Sequence, residues 1–193
     1  MLNEKTFNNF IVEINRVYET FSVWVHVNNQ CVKYQKEFNN VPKDEDSKYA
    51  NFFNVVLTSL INSWVLGISR LLDTPYHKED IKKEKPRLSI YYILEQLNDK
   101  GIKQEVRDKL SALKQFIYSN RDLRNERFAH RSLITKAIKQ KAGIEDFFEL
   151  LDNFVNEVKK KYQHLSVCND IGMKRAEELS NKGVLELFNK IVN

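Results

Sequence analysis

Residues 49–69 read YANFFNVVLTSLINSWVLGIS, twenty-one positions without a charge in a chain of 193 residues, 30% of them charged. How this stretch is read decides the fold class. A helix of about twenty apolar residues is long enough to cross a bilayer, and the same stretch can equally be the buried central helix of a soluble bundle. Asn51, Asn54, Thr58, Asn62 and Ser69 separate the two readings. At about 100° per residue they fall within one sector and paint a polar stripe down an otherwise apolar helix. Lipid gives such a stripe nothing to bond to, whereas a neighbouring helix or a wet cleft does. The expectation is a core helix from about Ser47 to Leu72, with Phe52, Phe53, Val56, Leu57, Leu60, Trp64 and Leu71 turned inward and no membrane contact.

Upstream, Phe7, Phe10, Ile11, Ile14, Val17, Tyr18, Phe21, Trp24 and Val25 recur at intervals of three and four. Asn28, Cys31, Val32, Gln35 and Phe38 continue the series, which predicts a first helix to about residue 39, curved or broken at Asn28 and Asn29. Downstream, apolar periodicity vanishes in YHKEDIKKEK between Pro75 and Pro86, so a charged, mobile loop is expected at about 73–88. A short helix should follow from about Leu88 to Asn98, with Gly101 as its C-terminal stop. The next begins near Ile102 and carries Leu110, Leu113 and Ile117; two amphipathic helices, about Ile144–Leu165 and Met173–Val192, close the chain. Five glycines and three prolines are few, and no linker composition, repeat or strand pattern interrupts the series. These features predict one all-α domain over residues 1–193, an antiparallel helical bundle of about five to seven helices.

Cys31 and Cys168 stand far apart without a Cys/His cluster, which argues against a disulfide framework or a zinc site and favours reduced thiols. The N-terminus MLNEKTFNNFIVEINR is charged every few residues and lacks the apolar core of an export signal, so a cytoplasmic location is expected. No carboxylate cluster with metal-ligand spacing stands near residues 124–130, and no cofactor is expected.

Chemistry concentrates in residues 124–130, RNERFAH. Between Arg121 and Lys141 stand seven basic residues (Arg121, Arg124, Arg127, Arg131, Lys136, Lys139 and Lys141) and two acidic ones (Asp122 and Glu126), a net +5 that equals the formal charge of the entire chain. Only Leu123, Phe128 and Ala129 are apolar between Tyr118 and Ser132, so the segment cannot present a full core stripe and should face a cleft, a partner or water. Clustered arginines suit a polyanion, above all nucleic acid; a solvated basic face is the competing reading. An arginine followed by a histidine is weak by spacing alone, as Arg70 and His77 illustrate across the intervening Pro75. On a regular helix Arg124 and His130 lie about 120° apart. Either a two-fold axis brings two copies of the motif into one cleft, or Arg127, on the face of His130, is the working cation. His26, His77 and His164 read as structural or exposed, and Tyr91, Tyr92, Phe147 and Phe148 as core aromatics.

With these residues in view, RDLRNERFAHRS resembles the signature of the HEPN superfamily, all-α domains marked by an arginine, a polar residue and a histidine a few positions on. GISRLLDTP upstream, followed by a charged loop and RLSIYYIL, further resembles the abortive-infection U-type branch, from about Asn3 to Leu165. The resemblance implies metal-independent RNA cleavage, with Arg124 on the scissile phosphate, His130 as proton carrier and Asn125 in the polar position. It also implies a homodimer acting as a toxin or phage-defence effector, held in check by an antitoxin or other regulatory protein. Arg127 would support the site, while Arg121, Arg131 and Lys136 would bind RNA along the basic helix. Asp73 matches an acidic position of the branch, and Asn54, Thr58 and Asn62 would form a second wall of the cleft. Ser132 departs from the tyrosine that HEPN toxins controlled by adenylylating partners carry there, which argues against that form of control. A catalytically silent HEPN domain that binds RNA or protein through the same cleft is the alternative, with a helical scaffold that touches no nucleic acid as a third reading.

Overall fold

A computed structural model of the chain describes residues 2–38, 43–75, 86–125 and 141–192. These form seven α-helices: α1 (Glu4–Phe38), α2 (Lys43–Leu71), α3 (Ile90–Gln96), α4 (Lys100–Ala112), α5 (Lys114–Asn125), α6 (Lys141–Lys161) and α7 (Met173–Val192). A single 3-10 turn, Gln163–Leu165, links α6 towards α7, and no strand occurs among the described residues. The fold is an all-α helical bundle.

The apolar spacing of α1 translates directly into burial. Phe7, Phe10, Ile11, Ile14, Val17, Tyr18, Phe21 and Trp24 are all in the core. Of the curve or break expected at Asn28 and Asn29, the break does not occur; α1 is continuous to Phe38. Packing on both sides of the asparagine pair holds the helix, with Val27 buried before it and the Tyr34 ring stacked on Phe188 of α7 after it. The modest helix penalty of an asparagine is overridden by such contacts.

Pairs across α1 and α2 fix their relative direction. Gly67 opposes Val17, while Trp64 meets Phe21 at 5.9 Å and Trp24 at 5.7 Å between ring centroids. As one number rises the other falls, so the two helices run antiparallel. Of the stretch Asn51–Leu71, whose mean hydropathy of 1.5 and length would allow a membrane crossing, half is buried inside the bundle. Phe53, Leu57, Trp64 and Leu71 are core residues, as are Ile61, Val65 and Ile68, whereas Phe52 is 52% exposed and departs from its expected inward place. At the N-terminal end of α2 the inward sector is already filled by Phe53, whose ring stacks on Phe188.

α6 packs against α1 in the opposite direction, with Phe154 near Phe10 and Phe148 near Tyr18 and Phe21. α7 runs parallel to α1: the Tyr18 hydroxyl donates to Glu177, and Tyr34 lies on Phe188. Burial first, and then the Glu177 carboxylate that it serves, push the Tyr18 hydroxyl well above its ordinary pKa.

Two helix ends correct the sequence reading. Gly101 is not a stop but part of the first turn of α4. Asp99 is the cap, its Oδ1 accepting from the Ile102 N–H at 2.9 Å, and its Oδ2 lies 2.8 Å from Lys161 Nζ on α6. The preceding α3 ends at Leu97, whose backbone turns extended. The helix expected to run unbroken from Ile102 into the motif is divided at Leu113, which caps α4 with φ −86° and ψ 13° and whose carbonyl then receives Ile117 N–H at 3.0 Å. Leu110, Leu113 and Ile117 keep helical spacing through the break, so apolar periodicity carries no sign of it.

Candidate functional site

α5 carries the start of the basic motif, residues 121–125, and its place follows from its neighbours. Asp99 sits against Lys161, and Phe116 lies 5.8 Å from Phe147. α4 and α5 therefore descend along α6 in the opposite direction. Since α6 opposes α1 and α1 opposes α2, α5 runs antiparallel to α2. The contact between them is polar: Asn120, 1% exposed, donates from Nδ2 to Ser69 Oγ at 3.2 Å and to the Val65 carbonyl at 3.4 Å. The Ser69 hydroxyl itself donates to the Val65 carbonyl at 2.9 Å.

Ser69 is one of the stripe residues on α2, so the stripe turns towards α5. Thr58 is buried, Asn62 half-buried and Asn54 exposed. On α5 the inward face changes character along its length, from Leu113, Phe116 and Ile117, which pack on the core, to Asn120. Arg124, four residues on, lies only about 40° from Asn120 around the helix. The antiparallel course brings the turn holding Arg124 to the level of Asn62, with Thr58 about a turn further. By register Arg121 and Asn125 lie around the helix from this face, and between them Asp122 is exposed. An apolar helix pair thus opens into a polar one where the motif begins.

Arg127, His130, Arg131 and Lys136 lie outside the described residues, as do 76–85 within the expected charged loop. Arg121, Arg124 and Asn125 are placed here by helix position alone. Asp73 is resolved: its Oδ2 accepts from Arg87 Nη1 at 3.2 Å, and the Arg87 N–H donates to the Pro75 carbonyl at 2.9 Å. Asp73 thus joins GISRLLDTP to RLSIYYIL, clasping the two ends of the segment between them. Being partly exposed on both sides, the pair contributes at most about 1 kcal/mol. His164 faces the Leu2 carbonyl at 3.2 Å, which ties the 3-10 turn to the start of the chain. Phe147 and Phe148 are fully buried, and Tyr91 and Tyr92 pack partly buried against the core. Arg70 pairs with Glu13. Among the described residues no three His, Cys, Asp or Glu side chains stand together as metal ligands would.

Asn120 is the residue that sequence reasoning missed. Its signal was a polar residue at the i−4 position of the motif arginine, on the helix face continued from Phe116 and Ile117.

No curated protein and no solved structure gives a match to the chain. The AbiU2 family of HEPN domains does match, over residues 4–178, a span that takes in both resembling segments, the Asp73 clasp, α5 and the whole basic motif. The chain therefore belongs to the AbiU2 family of HEPN domains.

Proposed function

We propose that this HEPN domain is a metal-independent endoribonuclease of the cytoplasm, acting as a toxin or phage-defence effector. The observation that carries the reading is the turn of α5 from apolar to polar on the face towards α2, where the family's motif arginine stands and the chain's net charge is concentrated. RNA brings its own nucleophile, the 2′-hydroxyl. His130 exchanges a proton with that hydroxyl or with the leaving 5′-oxygen. Arg124 holds the non-bridging oxygens by paired hydrogen bonds and stabilises the added charge of the pentacoordinate transition state. Asn125 orients one of the two or binds the ribose, Arg127 supports them, and Arg121, Arg131 and Lys136 follow the phosphate backbone. The products are a 2′,3′-cyclic phosphate and a 5′-hydroxyl. A homodimer supplies the two motifs to one cleft, and the outward face of α2 supports it: Phe52, Val55, Ser59 and Ser63 are exposed without a charge among them. An antitoxin or other regulatory protein holds the activity in check.

Purified protein should cleave single-stranded or loop RNA in the presence of EDTA and leave cyclic phosphate ends, while His130→Ala and Arg124→Ala abolish cleavage and remain folded. Loss of all activity on chelation, restored by a divalent cation, would overturn the mechanism. RNA binding without cleavage would instead assign a silent binding domain.

A further inference from the structure

The outward side of α4 sorts its charges by sign. Lys100 and Arg107 are exposed and Lys103 is half-buried, and at about 100° per residue the three fall within one sector of about 60°. The acids lie around the helix from them and are engaged elsewhere: Glu105 pairs with Lys109 at 2.8 Å, and Asp108 accepts from Gln104 Nε2 at 2.8 Å. Asp99, ahead of the helix, holds Lys161. Among the described residues no carboxylate pairs with Lys100, Lys103 or Arg107. Local stability gains nothing from this placement. Lys103 and Arg107 are like charges one turn apart, and Lys100 and Lys103 stand in a first turn that holds no acid, where the helix dipole disfavours cations.

The same side continues past the break at Leu113. Val106, Leu110, Phe116 and Asn120 are buried along one line from α4 into α5, so the side away from them is continuous too. Tyr118, 50% exposed, stands on it, about five turns beyond Lys100. Seven residues further, Asn125 falls within about 20° of Tyr118 by helix position. At about 1.5 Å per residue, one face runs about 38 Å from Lys100 to the polar position of the motif.

We infer that this face is a track for single-stranded RNA leading to the motif: Lys100, Lys103 and Arg107 hold phosphates, and Tyr118 stacks on a base between them and the scissile bond. The inference rests on the proposed ribonuclease reading for what lies at the end of the track, and on exposed side chains of α4 and α5 for the track itself. Phosphates supply the negative charge that the face lacks. An exposed tyrosine ring in line with clustered cations suits a strand whose bases are unpaired, because a base inside a duplex offers its face only to its neighbours. At about 3.4 Å per stacked nucleotide the track holds about eleven nucleotides. The substrate is therefore RNA with an unpaired flank of about that length on one side of the scissile bond.

The test reads binding apart from cleavage, in the full-length protein carrying His130→Ala. Fluorescence anisotropy compares unpaired RNAs of about five and about fifteen nucleotides across a salt series. The longer RNA should bind at least about tenfold more tightly. Replacing Lys100, Lys103 and Arg107 by glutamine should remove most of that advantage and flatten the salt slope by about two, since each phosphate contact on a single strand contributes about 0.7. Tyr118→Ala should weaken binding of the longer RNA about tenfold, while Tyr118→Phe stays within about twofold of its parent. Melting temperatures at or above the parent's verify the fold, and the single substitutions are read in the same way if the triple variant melts early. An unchanged salt slope, a Tyr118→Ala chain that binds like its parent, or a duplex bound as well as the longer single strand would overturn the inference and leave the face to solvent or to an acidic protein. Cleavage by the wild type together with an unchanged slope strikes only the track. A slope that answers to the α4 cations in a protein whose wild type never cleaves RNA strikes only the ribonuclease reading.

Discussion

Asp99 does two jobs with one carboxylate, and both lower its pKa. The bond to Lys161 comes first and the Ile102 N–H second. A carboxyl whose folded pKa lies below its ordinary value of 3.8 contributes stability that is fully present above that value and is lost as pH falls through the folded one. Asp99→Asn keeps the helix cap, since asparagine caps as well as aspartate, and removes the charge. The variant should melt below the wild type at pH 7, and the gap should shrink as pH falls below 3.8 and through the lowered folded pKa; a gap independent of pH would show that Lys161 contributes nothing through this pair. The cap was hidden at sequence level because Gly101 two positions later carries the stronger punctuation. The proposed catalytic residues stand out for the opposite reason. An arginine, an asparagine and a histidine in a segment too polar to be core stand out in the chain, whereas Asn120 reads as one more polar residue until its burial is known.

At the level of helices, α1 and α2 approach closely at Gly67. A methyl group placed on Gly67 would come within 2.4 Å of Val17 Cγ2, and Val17 is itself 3% exposed and stiff at its β-branch. Alanine is the better helix former by about 1 kcal/mol, yet Gly67→Ala should destabilise the protein by about 1–3 kcal/mol through overpacking. The Gly67→Ala, Val17→Ala double variant should be more stable than the sum of the two single losses, because the new methyl then fills the space the valine leaves. Urea denaturation of the four proteins reads this coupling, and strict additivity would mean that the helices separate instead of clashing. The elements themselves were visible in apolar spacing, because a buried face must repeat with the helix. Their ends were less so. The break at Leu113 leaves that spacing intact, and the continuity of α1 past Asn28 depends on Tyr34 and Phe188, residues far apart in sequence. The stripe on α2 was read from spacing as a polar surface; its partner across the gap, Asn120, became apparent only from the antiparallel course of α5.

In the whole molecule, a central helix without a charge from Tyr49 to Ser69 and a single basic segment are complementary features. α2 gives one sector to the core and one to α5, and leaves a third outward with Phe52 and Val55 exposed. The charge of the chain is gathered in the segment that follows, from Arg121 to Lys141. In the proposed homodimer a second copy of the chain lies against the first, so that two copies of the motif share one cleft. The most direct measurement mixes Arg124→Ala and His130→Ala chains and assays RNA cleavage in verified heterodimers. Each variant alone should be folded, dimeric and inactive, and the mixture should regain part of the wild-type activity, because one cleft then holds an arginine from one protomer and a histidine from the other. Full activity of the Arg124→Ala homodimer would transfer the role to Arg127. Absence of rescue in verified heterodimers would contradict the shared site and confine each catalytic pair to one chain.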